Sequence, residues 1–134
     1  MNVTRPIRII ASLSAVIAVT LGMGTYTHAN CTSIHMLFGL IVALALLILS
    51  IMALVTGGLG RLGALGIVYA LIMPTFGVTQ QMILAGNLHW LVETAHLAVG
   101  FGALALIGTL SARLVRLRQT ARYVSAQPQP QPVR

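Results

Sequence analysis

The sequence predicts an all-α protein: an integral-membrane, antiparallel four-helix bundle built from two helical hairpins. Three observations carry that prediction. Charge is scarce, with 7% of the 134 residues charged and 57% hydrophobic, whereas about a quarter of a soluble domain is charged. The mean hydropathy is correspondingly high, at +0.94. The few charges also leave long apolar runs between them. No Asp, Glu, Lys or Arg stands between Arg8 and Arg61, between Arg61 and Glu93, or between Glu93 and Arg113. A helix needs about 20 apolar residues to cross a bilayer. Finally, the two halves echo each other. "HANCTSIHMLFG" (28–39) and "HWLVETAHLAVG" (89–100) both read H-x6-H-x3-G, each position of the second lying 61 after its counterpart (28 to 89, 35 to 96, 39 to 100).

The first span is read as Ile7–Tyr26. Its basic start, apolar middle and "THA" before Asn30 also suit a cleaved secretory leader. The paired repeat needs this segment as its first helix, so a retained span is expected. After the polar turn "TYTHANCTS" comes the second span, His35–Gly57, and the glycine-rich "GGLGRLG" (57–63) reverses the chain. The third span, Leu62–Leu84, contains Pro74, which removes a backbone hydrogen bond and predicts a kink. Membrane helices tolerate such a residue when neighbours satisfy the freed carbonyl. "AGN" (85–87) then separates the fourth span, His89–Leu114. Residues 1–117 form the bundle in this reading. Residues 118–134, ending in "SAQPQPQPVR", form a basic, Pro/Gln-rich disordered cytoplasmic tail.

Charge orients the bundle. Eight arginines against one glutamate give a net charge of +7. Arg5 and Arg8 stand at the start of the first span, Arg61 divides the second from the third, and Arg113, Arg116, Arg118, Arg122 and Arg134 stand at or after the end of the fourth. The other two loops carry no basic residue. Positive charge stays on the cytoplasmic side, which predicts an inner (plasma) membrane protein with both termini inside and the histidine-bearing loops outside. The basicity thus reports topology and contact with the lipid bilayer, not nucleic acid. "RLVRLRQTAR" (113–122) reads as an anchor to anionic lipid, with a partner-protein contact as the alternative. Cys31 is the single cysteine, so no intramolecular disulfide is possible.

All four histidines fall within the two matched windows. Ionisable residues inside spans usually face an interior site and a partner. The second and fourth helices run the same way in this fold, so His35 and His96 enter the membrane at similar depth. Two imidazoles so placed can grip a haem iron from both faces. Gly39 and Gly100 each follow an inner histidine by four residues, on its helical face, where a flat macrocycle would pass close to both backbones. Ala43 and Ala103 continue that small surface. The plainer alternatives are close helix packing for the glycines and water-facing positions for the histidines. His28 and His89, seven residues before the inner pair, are candidates for contacts to haem propionates or an entering ligand, or are simply solvated loop residues. A second haem only about 10.5 Å away along the same helix would collide with the first.

Glu93, the only acid, lies three residues before His96. It is the candidate catalytic residue, either orienting an imidazole or handling a proton, with a water-facing position as the alternative. Trp90 suits the membrane interface. Met36, Met73 and Met82, with Cys31 and the histidines, raise a cuprous-ion reading. No tight Met-x-Met or Cys-x-x-Cys motif supports it. Nothing resembles a phosphate loop or a nucleophile elbow.

The chain resembles one half of the haem A synthase family. The resemblance covers roughly residues 8–117 and rests on "HMLFG" opening the second helix, "HLAVG" in the fourth, and "TQQMILAGNLHWLVETAHL", where Gln and Gly precede the ligand helix. It implies a four-helix fold with His35 and His96 as metal (iron) ligands of a b-type or related haem. It also matches the family's Glu-x-x-His arrangement to Glu93 and His96. Family members have eight spans, so this chain would need a homodimer to form both haem sites. The family's acidic residue on the second helix is here Thr32, and its cysteine pair is reduced to Cys31. The resemblance therefore favours haem binding over the family's oxidation of a haem methyl group. The expected function is electron transfer or haem handling, as a homodimer or as a subunit of a respiratory-type complex. An oxidoreductase of the haem A synthase type and a haem-free structural or accessory subunit remain as alternatives.

Overall fold

Four long helices follow one another in the computed structural model: α1 Thr4–Tyr26, α2 Thr32–Leu54, α3 Gly60–Thr79 and α4 His89–Ala126, with a short 3-10 turn at Gln80–Met82. The structure describes residues 3–26, 31–84 and 86–126, the side chains of 24–26 excepted. No strand occurs among the described residues. All four helices are long and apolar enough to cross a membrane.

Every helix exposes large apolar residues, and α1 buries only small ones. α1 turns Ala11, Ser14, Ala15 and Ala18 inward at three- and four-residue spacing and leaves Leu13 and Val16 at 62% and 65% exposed. Leu71 on α3 and Phe101 on α4 are likewise more than half exposed. In water, an apolar surface of this extent drives association. Between lipid tails it costs nothing, and the small inward residues let backbones approach closely. The core that results joins Leu46, Leu49 and Ala53 of α2 to Ile107, Leu110 and Leu114 of α4, with Ala70 and Met73 of α3.

α2 touches all three other helices, and α4 does too, whereas α1 and α3 stay apart among the described residues. The bundle therefore closes across one diagonal, the one between α2 and α4. Contacts along α3 show its register. A side-chain carbon added at Gly63 would lie 2.5 Å from the Leu54 nitrogen and 2.7 Å from the Ser50 carbonyl oxygen. At Gly66 it would meet Ser50 and, at 3.3 Å, Leu110; at Gly77 it would lie 3.3 Å from the His96 ring. Between these levels the Tyr69 hydroxyl donates to the Val99 carbonyl at 2.8 Å.

Several boundaries differ from the sequence reading. α2 starts at Thr32 because the His35 N–H already donates to the Cys31 carbonyl at 2.9 Å, which places His35 within the first turn. α2 gives way at Leu54 to a turn in which Gly58 takes a φ of +83°, a left-handed conformation that glycine adopts without strain. α3 ends at Thr79 instead of continuing to Leu84; after the 3-10 turn, Ile83 is extended and Leu84 has a φ of +49°. Pro74 lies inside α3, and the helix runs on through it. The Thr75 and Thr79 hydroxyls donate to the carbonyls of Leu71 and Thr75 one turn back. α4 passes Leu114 and reaches Ala126, so the part of the expected tail from 118 to 126 is helical. Its Arg, Leu, Gln and Ala content favours helix, and no proline intervenes before Pro128. Residues 127–134 lie outside the described residues.

Candidate functional site: a histidine pair between α2 and α4

His35 occupies the first turn of α2, and His96 the third turn of α4. Their rings meet across the diagonal contact with centroids 5.9 Å apart and planes tilted by 55°. Each ring also leans on a glycine of the preceding helix. A carbon added at Gly22 of α1 would lie 3.1 Å from His35 Cε1 and 3.2 Å from its Nδ1, and one added at Gly77 of α3 would lie 3.3 Å from His96 Cε1. Phe76 adds an aromatic contact to His96, with ring centroids 5.9 Å apart.

The two imidazoles differ in their hydrogen bonding. His35 Nδ1 lies 2.8 Å from the Ala18 carbonyl oxygen of α1. A carbonyl only accepts, so Nδ1 carries the proton and Nε2 keeps a free lone pair. His96 Nδ1 is buried and has no hydrogen-bond partner among the described residues. A buried polar atom left unpaired costs about 1–3 kcal/mol, which marks this nitrogen as a position where something outside the polypeptide is expected. Among the described residues, no cluster of three or more His, Cys, Asp or Glu is placed to hold a metal ion. The pair alone is therefore an incomplete coordination set.

Gly39 and Gly100, one turn beyond the two histidines, both open onto free space: a side-chain carbon added at either would find no atom within 4 Å. Ala43 and Ala103, which continue the small surface on each helix, are buried at 4% and 0% exposure. The small stripe thus runs from two uncontacted glycines, one turn beyond the histidines, to two alanines in the core.

The remaining sequence candidates occupy separate positions. Glu93 is half-buried on α4, one turn outward from His96. His89 begins α4 and sets its Nδ1 3.3 Å from the Ile83 carbonyl, bracing the turn before its own helix. Cys31 is free and half-exposed at the α2 N-cap. His28 lies outside the described residues. Met73 is in the core, and Met36 and Met82 are exposed. Sequence reading missed Gly22, Gly77, Phe76 and the Ala18 carbonyl. Gly22 precedes its histidine by 13 positions and Gly77 by 19 (22 to 35, 77 to 96), so they do not follow the repeat that marks the histidines.

No protein-family model matches the chain, and comparison with curated proteins and with solved structures returns no match.

Proposed function

We propose that the chain is a membrane-embedded haem b protein. His35 and His96 would hold its iron, and it serves electron transfer or haem handling. The observation that carries this reading is the ring pair itself: two imidazoles on the two helices of the closing diagonal, 5.9 Å apart. Bonds of about 2 Å from each imidazole nitrogen to a metal, the length known for histidine ligands, put the ring centres about 6 Å apart. A pair of histidines cannot complete a metal site unaided, and a porphyrin supplies the other four nitrogens.

The residues around the pair fit this group. The bond to Ala18 directs the His35 Nε2 lone pair toward a metal, the usual arrangement in which a ligand histidine donates its other N–H to a carbonyl. The free space beside Gly39 and Gly100 supports a flat ring passing close to both helices. When bound, haem supplies reversible one-electron chemistry at a potential set by its axial ligands and burial. The protein's part is to fix both imidazoles, keep water from the apolar side through Phe76, and hold the rings against Gly22 and Gly77. Glu93, one turn outward, would steer a proton or an imidazole.

Antiparallel packing of the hairpins is supported by the Gly63–Leu54, Gly66–Leu110 and Gly77–His96 contacts. The arginines at the other end of the bundle from the histidines support cytoplasmic termini in an inner membrane. The resemblance to half of a haem A synthase adds a homodimer, or a place in a respiratory-type complex, as the working assembly.

A reduced-minus-oxidised absorption spectrum of the purified full chain, expressed with ample haem, tests the reading. Sharp low-spin bands are expected in the wild-type protein and are lost in both His35→Ala and His96→Ala. Colourless wild-type protein, or bands that survive both substitutions, overturns it. Normal assembly of colourless protein into a larger complex would instead mark a haem-free accessory subunit.

A further inference from the structure

At the arginine-bearing end, the turn between α2 and α3 and the flank of α4 border an open surface hollow of about 290 Å³, lined by Gly57, Gly58, Leu59, Arg113, Arg116 and Leu117. We propose that it is a headgroup site for one anionic phospholipid, whose phosphate sits between the guanidinium groups of Arg113 and Arg116. The proposal rests on the membrane reading above and is independent of haem.

The charge arrangement calls for an anion from outside the chain. Arg113 and Arg116 are three residues apart on α4 and so lie on one face of it. The only side-chain carboxylate, Glu93, is 20 positions before Arg113 on the same helix, or about 30 Å along its axis. It cannot neutralise either arginine. Guanidinium groups present planar forks of N–H donors that match phosphate oxygens two at a time. Gly57 and Gly58 keep the opposite wall low, since a side-chain carbon added at either would meet nothing within 4 Å. Gly58 also has its φ at +83°, so a larger residue there would strain the turn as well as fill the hollow.

The apolar lining and the location favour a lipid over a soluble phosphate. Leu59 is 5% exposed and forms part of the core, while Leu117 is 41% exposed at the rim. Together they offer hydrocarbon beside the two charges, suited to the glycerol and upper acyl carbons that adjoin a lipid phosphate. The hollow also lies where α2 ends at Leu54 and α3 begins at Gly60, the level at which headgroups surround a spanning bundle. Arg118 and Arg122 are a built-in control. At 100° per residue they project from roughly the opposite side of α4, and neither lines the hollow.

Native mass spectrometry of the detergent-purified full chain, titrated with phosphatidylglycerol or phosphatidylcholine, tests the site, with circular dichroism confirming that each variant is helical. The wild type should retain one phosphatidylglycerol in preference to phosphatidylcholine. Arg113→Gln and Arg116→Gln should each weaken that preference about fivefold, the scale of one arginine's attraction to an anionic surface, and the double variant should abolish it. Arg118→Gln with Arg122→Gln removes the same charge and should stay within about twofold of wild type. Arg113→Lys with Arg116→Lys should fall between, keeping charge but losing the forks. Equal losses in the two glutamine doubles would reveal diffuse attraction and sink the proposal. So would a wild type without headgroup preference, or displacement of the lipid by millimolar inorganic phosphate. None of these readouts involves haem, so a colourless protein and a lipid-indifferent one are distinguishable failures.

Discussion

Two pairs of helical glycines, one toward each end of the bundle, are used in opposite ways. Toward the arginine end, Gly63 and Gly66 are pressed against α2: added carbons would strike the Leu54 and Ser50 backbone at the first and the Ser50 side chain at the second. Ser50 is itself fully buried and donates to the Leu46 carbonyl at 2.6 Å. Toward the histidine end, Gly39 and Gly100 adjoin nothing within 4 Å. Helix-packing motifs of small residues are read as sites of close approach, and at Gly63 and Gly66 that reading holds. At Gly39 and Gly100 the missing side chain leaves volume instead. The same residue type thus marks a structural seam at Gly63 and Gly66 and uncontacted space at Gly39 and Gly100, with Ala43 and Ala103 buried beyond it.

The largest effect expected from this contrast is at Gly63. Gly63→Ala drives a methyl group into main-chain atoms, which cannot rotate away. It should cost toward the upper end of the about 1–3 kcal/mol typical of overpacking. Thermal unfolding of the purified protein in detergent would show a clear fall in midpoint or no recoverable folded protein. A Gly63→Ala variant as stable as wild type would remove the distinction between the two ends.

Next in size is the bond that crosses from α3 to α4 between the two regions. Tyr69→Phe removes the hydroxyl donated to the Val99 carbonyl at 2.8 Å and leaves the ring against Gly102. Side-chain hydrogen bonds between membrane helices average about 0.6 kcal/mol, so a small, reproducible loss of stability is expected in the same melts. A loss comparable to that of Gly63→Ala would show that the division between packed and open ends lies elsewhere.

Much of this arrangement was legible in the sequence, and what was not has identifiable causes. Gaps between charges located four helices, and His89 was read correctly as the start of α4. The matched spacing of His35 and His96 anticipated that they would meet, because helices joined by short turns alternate in direction. The boundary at Leu114 failed because a drop in hydropathy says where a bilayer would end, whereas helix propensity from Arg116 to Ala126 stays high. The third helix is shorter than its hydropathy predicts because Ile83 and Leu84 are apolar, although their backbone has already left the helix. The roles of Gly22 and Gly77 depend on which neighbouring ring leans on them, and no repeat in a single chain encodes that. Packed Gly63 and open Gly39 look alike in sequence because the difference lies on the facing helix.

The smallest stability effect should come from the open glycines, and it has the opposite sign. Gly39→Ala and Gly100→Ala place a methyl group where no atom lies within 4 Å, while alanine is favoured over glycine inside a helix by up to about 1 kcal/mol. Protein without haem should therefore melt at the same temperature as wild type or slightly higher. A ligand ring that occupies this space would meet the new methyl groups, so the proposed haem protein should lose occupancy in the double variant while its fold gains stability. The two changes are measured separately, by the haem-to-protein absorbance ratio and by the melt of the colourless form. A double variant that is less stable without haem would mean that Gly39 and Gly100 are packing glycines like Gly63. One that keeps full haem occupancy would mean that this space is open to lipid and the macrocycle lies elsewhere. Only the combination of a firmer fold and an emptier site matches a bundle whose outer glycines are kept small for something other than a neighbouring helix.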